Sequence, residues 1–376
     1  MTNERIYLSP PDMAPGSDEA LQKVLASNWI APVGPTLNEF ESRFSELVAG
    51  RACCAVSSGT AAIHLALQLA GIGKGDVVIC PSLTFVASVN PVLYLGAEPV
   101  FVDSDPDSWC LDPVLFEAAI SDLKAKGKHP KACIPVHIFG QSSDMTAIGQ
   151  ICNEHGIELI EDAAEALGAS WKGKPVGSTG RFGCFSLNGN KIITASSGGV
   201  LVGDEADIEQ ARKLKNHSPE HLPFYHHEKP GYNYQFSNVL AALALAQLPT
   251  LNEKVEKRRS IFASYQSELS HIPGITFMPE ADVESSTRWL SCMLMNPDVT
   301  GKRPEELRLV LEQHNIESRR IWKPMHLQPL FQQANMYSNG TSNLLFDQGL
   351  CLPSGSGMSA QQQDRVIQVI VNFLRS

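Results

Sequence analysis

Cys53-Cys54-Ala55-Val56-Ser57-Ser58-Gly59-Thr60-Ala61-Ala62-Ile63-His64-Leu65-Ala66-Leu67-Gln68-Leu69-Ala70 reads as a short apolar strand, a polar turn and then a helix. The first four residues are small and apolar, the next four suit a turn and a helix start, and only His64 and Gln68 interrupt the apolar run that follows. A strand leading straight into a helix is the unit of an α/β fold. The alternation continues along the chain, with further strands expected at Val77–Cys80, Pro99–Val102, Ala132–Val136, Ile157–Ile160, Gly183–Leu187 and Gly199–Val202. Between them, Thr60–Ala70, Thr84–Leu95, Asp112–Lys126 and Asp144–His155 carry apolar residues three or four apart behind a polar start, which predicts helices.

Outward from this region the pattern changes twice. Before Cys53, two Pro-containing stretches flank a helix expected at Ser17–Ser27, and the segment reads as an arm packed on the main body. After Pro249 a charged helix with Lys254, Glu256, Lys257, Arg258 and Arg259 leads into shorter elements broken by Pro and Gly. A boundary there gives residues 1–250 as a large domain with its arm and 251–376 as a smaller one. The 376 residues, 43% hydrophobic and 19% charged, are ordinary for a globular protein.

A formal net charge of -10 argues against binding nucleic acid through its phosphates. The most apolar stretch, Val239–Leu248, is about half the length of a membrane span and reads as a core helix. Met1–Ser9 has no apolar segment of the secretory kind, and the nine scattered cysteines contain no CxxC pair, so reduced thiols in a cytoplasm are expected.

Three places carry candidate chemistry. At Ser57-Ser58-Gly59-Thr60, a helix N-terminus offers free N–H groups and a positive dipole end to a dianionic phosphate, though Ser and Thr there also serve as plain N-caps. Ile157-Glu158-Leu159-Ile160-Glu161-Asp162 is an apolar strand ending in acid; Asp162 either faces a cleft beyond the strand end, where it could pair with a cationic ring nitrogen, or caps the next helix. In Ser186-Leu187-Asn188-Gly189-Asn190-Lys191-Ile192-Ile193, the lysine stands next to an apolar pair, a poor place for a solvated charge. Desolvation lowers a lysine's proton affinity and frees its lone pair for an aldehyde, whereas most loop lysines face solvent. Together a phosphate seat, a strand-end acid and a later lysine are what pyridoxal 5'-phosphate requires.

Ser58-Gly59-Thr60, Glu161-Asp162-Ala163-Ala164, Ser186 with Asn190-Lys191, and Gly231-Tyr232-Asn233-Tyr234 fall in the order and spacing of the DegT/StrS-type sugar aminotransferases, which this chain resembles over nearly its whole length, from Asn28-Trp29-Ile30 onward. The resemblance implies a fold-type I aminotransferase, a large domain with a mainly parallel sheet flanked by helices plus a smaller C-terminal α/β domain. It implies that Lys191 forms the Schiff base and moves the proton and that Asp162 keeps the pyridine nitrogen protonated. Ser58, Gly59, Thr60 and Ser186 would hold the phosphate, Phe85 would stack on the ring, and Glu165 would lie beside its face. Asn233 would reach the phosphate of a partner subunit, which implies a homodimer with shared active sites. The amino donor would be glutamate and the acceptor a nucleotide-linked keto-sugar.

The run Glu317-Ser318-Arg319-Arg320-Ile321-Trp322-Lys323-Pro324-Met325-His326 is similar to that of enzymes aminating UDP-linked 4-keto-6-deoxy-N-acetylhexosamines in the bacillosamine route. Arg319, Arg320, Lys323 and His326 would neutralise a diphosphate and Trp322 would shield a sugar or base, with Asn28, Trp29 and Ile30 as further substrate contacts; the alternative is a basic stretch between domains. This chain has Gln235 where the family commonly has arginine, and its Thr194–Gly199 loop lacks the family's frequent glutamate. Two other functions compete: a related sugar dehydratase, against which Lys191 argues because those enzymes carry histidine there, and a non-catalytic sensor of cofactor or sugar. His217, His221, His226 and His227 invite a metal site, but no matching Cys or carboxylate spacing accompanies them, and no metal is expected.

Overall fold

The computed structural model describes residues 4–220 and 222–376. Its main sheet has eight strands in the order Ala52–Val56, Gly199–Gly203, Phe182–Ser186, Glu158–Asp162, Pro130–Cys133, Val77–Pro81, Glu98–Val102 and Met336–Tyr337. Gly199–Gly203 runs antiparallel to both neighbours, and every other pairing is parallel. Parallel strands carry helices on both faces and so are buried on both. This is visible in Val77–Pro81, where Val78 and Cys80 enter one apolar cluster and Val77 and Ile79 another.

The helices begin where side chains replace the missing acceptors of their first N–H groups. Asp112 accepts from Val114 and Leu115, Asp144 from Thr146 and Ala147, and Ser237 from Val239. The helix Pro35–Leu47 of the arm buries Phe40 and Phe44, and Phe44 meets Phe185 edge to face with ring centroids 5.2 Å apart. Burying one such ring stabilises the fold by roughly 1.5–3 kcal/mol, so the arm is fastened to the sheet by its aromatic stripe.

A second, antiparallel sheet has the order Ile275–Phe277, Ser291–Met295, Gly349–Leu352, Arg319–Arg320. The helices Leu251–Leu269, Pro304–Gln313 and Ala360–Arg375 cover it with one apolar cluster. The segment between its last two strands returns to the main sheet, where Met336–Tyr337 forms the outermost strand. Among the described residues no helix is long and apolar enough to cross a membrane.

Two expected elements differ. Thr84–Leu95 is not one helix but a single 3-10 turn, Val86–Ser88, followed by a five-residue helix, Asn90–Tyr94. Pro91 lacks an N–H and can only open a helix, so the segment restarts there. The strand expected at Ala132–Val136 ends at Cys133, because Pro135 cannot donate to a ladder; Val136 keeps a lone bridge to Asp162.

Parallel strands place their carboxyl ends along one edge. Ser57–Thr60, Ser82–Phe85, Asp162 and Ser186 all follow or end such strands, so residues far apart in sequence arrive at the same edge.

Candidate active site

One cavity of about 350 Å³ opens at that edge. Ser58, Gly59, Thr60, Phe85, Asp162, Glu165, Ser186 and Lys191, all singled out in the sequence, line it together.

At one end lies the tip of the helix Gly59–Leu69. Ser58 is its N-cap, and its Oγ accepts the N–H of Ala61 at 3.1 Å. The first internal bond runs from Ala62 N–H to Ser58 O, so the N–H groups of Gly59 and Thr60 have no acceptor within the helix. A Cβ on Gly59 would stand 3.1 Å from Ser186 Cβ, so glycine is what lets the tip and the strand end approach. This geometry fits a phosphate.

Asp162 is buried deeper. Its Oδ2 accepts the Ser88 hydroxyl at 2.6 Å and its Oδ1 the Ala164 N–H at 3.0 Å, while Thr84 Oγ1 lies 2.7 Å from Ser88 Oγ. The carboxylate is thereby oriented by neutral donors, with no cation among the described residues paired with it, and fits a protonated ring nitrogen.

Lys191 Nζ lies 3.9 Å from Glu165 Oε1 and 4.0 Å from the centroid of the Trp289 ring. Burial lowers the amine's proton affinity, opposed by the charges of Glu165 and Asp162. Burial likewise pushes the Glu165 carboxyl up to about 7, although Lys191 and the Phe139 N–H, donating to Oε2 at 2.7 Å, pull it down. A largely enclosed amine with depressed basicity at the cavity wall suits covalent attachment of an aldehyde. Beneath this layer Glu161 is fully buried and held below its ordinary range: burial raises it, but His137 and the N–H groups of Gly177, Thr179 and Gly180 outweigh that effect.

The wall is aromatic. Phe85, Phe139 and Trp289 surround Trp322 at centroid distances of 5.3, 5.3 and 6.4 Å. Phe85 is 55% exposed, so one face is open to a flat partner.

The remaining sequence candidates spread out. Arg319 and Lys323 lie in separate hollows on either side of Trp322, of about 640 and 520 Å³, and Arg319 pairs with Glu317 at 3.0 Å. Arg320 turns away to the carbonyls of Phe346, Asp347 and Gly349, and His326 Nδ1 lies 2.6 Å from Ser82 Oγ. Asn28, Trp29, Ile30 and Asn233 are exposed and do not line the cavity of their own chain. His221 lies outside the described residues, and among those described no group of His, Cys, Asp or Glu is placed to hold a metal. Sequence reasoning missed Trp289, Ser88 and Thr84. Only the hydroxyl spacing Thr84-x-x-x-Ser88 hinted at the last two, and nothing local marked Trp289.

A buried amine facing a phosphate seat, with an acid set for a pyridine nitrogen, defines an enzyme that uses pyridoxal phosphate. The match to known families is narrower: residues 11–371 fit the DegT/DnrJ/EryC1/StrS aminotransferase family, and the chain belongs to it. EpsN of Bacillus subtilis (strain 168), provisionally named a pyridoxal phosphate-dependent aminotransferase, is 47% identical over 379 residues, covering 100% of this chain and 97% of its own. The UDP-4-amino-4-deoxy-L-arabinose–oxoglutarate aminotransferase of Shewanella sediminis (strain HAW-EB3) is 34% identical over 345 residues, covering 89% and 87%. The crystal structure of DesV from S. venezuelae superposes with a TM-score of 0.87 at 31% identity, covering 96% of this chain and 94% of that one. The protein is thus a pyridoxal-phosphate-dependent sugar aminotransferase with an α/β fold.

Proposed function

We propose that this aminotransferase moves an amino group from glutamate to a UDP-linked 4-keto-6-deoxy-N-acetylhexosamine, giving a UDP-4-amino sugar. The observation that carries the reading is the Lys191 amine, held between Glu165 and the Trp289 face at the wall of a cavity that ends in the Ser58–Thr60 helix tip. A relative named for transfer between a UDP-4-amino sugar and oxoglutarate supports the nucleotide, the carbon and the donor.

Lys191 would hold the cofactor, Ser58, Gly59, Thr60 and Ser186 its phosphate, Asp162 its ring nitrogen, and Phe85 the open face of its ring. Bound there, pyridoxal phosphate supplies an electron sink for the substrate carbon. The Lys191 amine would take a proton from that carbon and return it, and the burial that lowers its basicity favours that role. Asp162 keeps a proton on the ring nitrogen, held in place by Ser88 and the Ala164 N–H. The Phe85, Trp289 and Trp322 wall lines the cavity with apolar surface, which lowers the local dielectric and strengthens these electrostatic contacts.

For the sugar diphosphate, Lys323 and the exposed Arg319, which is paired with Glu317, are the cations beside Trp322 that would meet it, while Arg320 and His326 are engaged within the chain and would orient the segment. Asn28, Trp29, Ile30 and Asn233 would serve the cavity of a second subunit in a homodimer, a role their exposure supports. The reading also keeps residues 1–250 and 251–376 as two domains and places the enzyme in a cytoplasm, which nine free, buried cysteines support.

The test has two stages. Borohydride reduction of the yellow holoenzyme should fix the cofactor on the peptide containing Lys191, read by mass spectrometry. Glutamate with the UDP-4-keto sugar should then yield oxoglutarate and a UDP-amino sugar in equal amounts. Faster turnover of GDP- or dTDP-linked keto-sugars would overturn the substrate assignment, and label on any other lysine would overturn the role of Lys191.

A further inference from the structure

Asn190, the residue before Lys191, offers its carbonyl oxygen to two side chains from distant parts of the chain. Trp289 donates its indole N–H at 2.8 Å and Ser9 its hydroxyl at 3.0 Å. The N–H at the other end of the same peptide bond, on Lys191, donates to Asn188 O at 3.0 Å. The Asn190–Lys191 peptide is therefore tied at both ends.

Arg258 stands behind both donors. It is fully buried, and its Nη1 donates to Trp289 O at 2.6 Å and Ser354 O at 3.1 Å while Nη2 donates to Ser9 Oγ at 3.2 Å. A guanidinium cannot accept a hydrogen bond, so the Ser9 oxygen accepts from it and the single hydroxyl proton of Ser9 is aimed at Asn190 O. Arg258 has no carboxylate among these partners, and its Nε meets no acceptor among the described residues. Burying a guanidinium this way is costly, yet although burial pushes it down to about 10, it stays charged at neutral pH. Its neighbours Val255, Ile261 and Phe262 are apolar, and the buried Lys254 one turn before it is a second cation that disfavours its charge, so the packing of the helix Leu251–Leu269 alone gives no reason for a cation there.

We propose that Arg258 is a positioning residue, which through Ser9 and Trp289 fixes the Asn190–Lys191 peptide and lays the Trp289 ring against the Lys191 amine. The cofactor-bearing lysine is thus held by the N-terminal arm and the C-terminal half of the chain together, and neither segment needs to touch substrate to act on it. This rests on the reading of Lys191 as the reactive amine. The charged groups facing that amine, Glu165 and Asp162, lie outside the clamp.

The test uses the full chain without cofactor. Competitive acetylation by acetic anhydride across pH, read on the Lys191 peptide by mass spectrometry, gives the pH at which the amine is half reactive. Ser9→Ala and Trp289→Phe each remove one donor, expose more of the amine to water, and should move that midpoint up by about half a unit or more, roughly threefold in proton affinity. The double variant should move it by less than the sum, because both donors serve one oxygen. Ser9→Thr, which keeps the hydroxyl, should stay at the wild-type midpoint, and Arg258→Lys should move it at least as far as Ser9→Ala. Unmoved midpoints in both single variants overturn the clamp, even if Arg258→Lys fails to fold. Borohydride trapping in the wild type is read separately: its failure removes the cofactor reading, whereas trapping with unmoved midpoints removes only the clamp.

Discussion

Replacing Gly59 by alanine isolates the phosphate seat. The added Cβ would lie 3.1 Å from Ser186 Cβ, 3.4 Å from Phe185 O and 3.6 Å from Ser186 Cα. Carbon pairs prefer about 3.5–4.0 Å, so the helix tip must back away by roughly half an ångström. Overpacking of this kind costs about 1–3 kcal/mol, and gaining alanine in a helix returns about 0.5–1 kcal/mol, so the cofactor-free protein should be only slightly less stable. Cofactor affinity responds differently. A tip displaced this far loses at least one hydrogen bond to a charged phosphate, worth roughly 1.5–3 kcal/mol, or about 10- to 150-fold in the dissociation constant. Spectroscopic titration with pyridoxal phosphate measures that loss, and titration with pyridoxal, which lacks the phosphate, should show almost none. Gly149→Ala is the control: its Cβ would meet only Leu159 Cδ2, at 4.0 Å, inside the helix Met145–His155, so it should leave both affinities unchanged. Equal weakening of pyridoxal and pyridoxal phosphate in Gly59→Ala, or none, would refute the seat.

Asp162→Asn keeps the shape of the acid but not its charge. We expect kcat to fall about 100-fold or more, equivalent to roughly 3 kcal/mol, with little change in KM for glutamate in steady-state assays. Glu165→Gln should alter how stability depends on pH. The folded carboxyl titrates near 7 against an ordinary 4.5, so it favours folding below about 4.5 and loses that contribution as pH rises through about 7. Denaturant melts of the cofactor-free protein should therefore show the wild-type minus variant difference falling across that window, and a rising difference would mean the group is held as an anion. Phe44→Ala removes a fully buried ring packed on Phe40 and Phe185 and should cost about 3–5 kcal/mol in the same melts.

What could be read from the sequence was what local periodicity encodes. The strand–turn–helix at Ala52–Leu69 and the acid closing Glu158–Asp162 stand close to where apolar runs and caps predict them. Direction was not readable: Gly199–Gly203 runs against its neighbours, and a period of two is the same whichever way a strand points. Nor was Met336–Tyr337, two residues with no period, which is fastened to the main sheet when Asp103 accepts from Ser338, Asn339, Gly340 and Ser342. Thr84–Leu95 has helical apolar spacing, but Pro91 and the capture of Ser88 by Asp162 break it. In the site, the phosphate tip, acid and lysine are written in short motifs. Trp289, Ser9 and Arg258 reach Lys191 only through tertiary contacts, and no spacing in the chain announces them.

The antiparallel strand explains why the seat can be rigid before any ligand arrives. After Lys191 the chain must turn back to enter Gly199–Gly203, and this return pairs Gly199 with Ser186 and with Val56, directly beneath the helix tip. A Cβ on Gly199 would stand 2.5 Å from the Ser58 carbonyl carbon and 2.6 Å from Gly59 N, closer than any side chain permits. Backbone therefore packs on backbone where Gly199 meets Ser58 and Gly59, and Gly59 packs against the neighbouring Ser186. Neither contact can loosen by rotating a side chain, so the free N–H groups of the tip stay aimed at the cavity at no cost when a phosphate enters. It follows that Gly199→Ala should be more harmful than Gly59→Ala, because the atoms it meets are main chain of the helix tip, closer than those Gly59→Ala meets. The expected outcome is poor folding rather than selectively weak cofactor binding. A stable Gly199→Ala protein that binds pyridoxal phosphate normally would mean the tip is free to move, and preorganisation would no longer account for the seat.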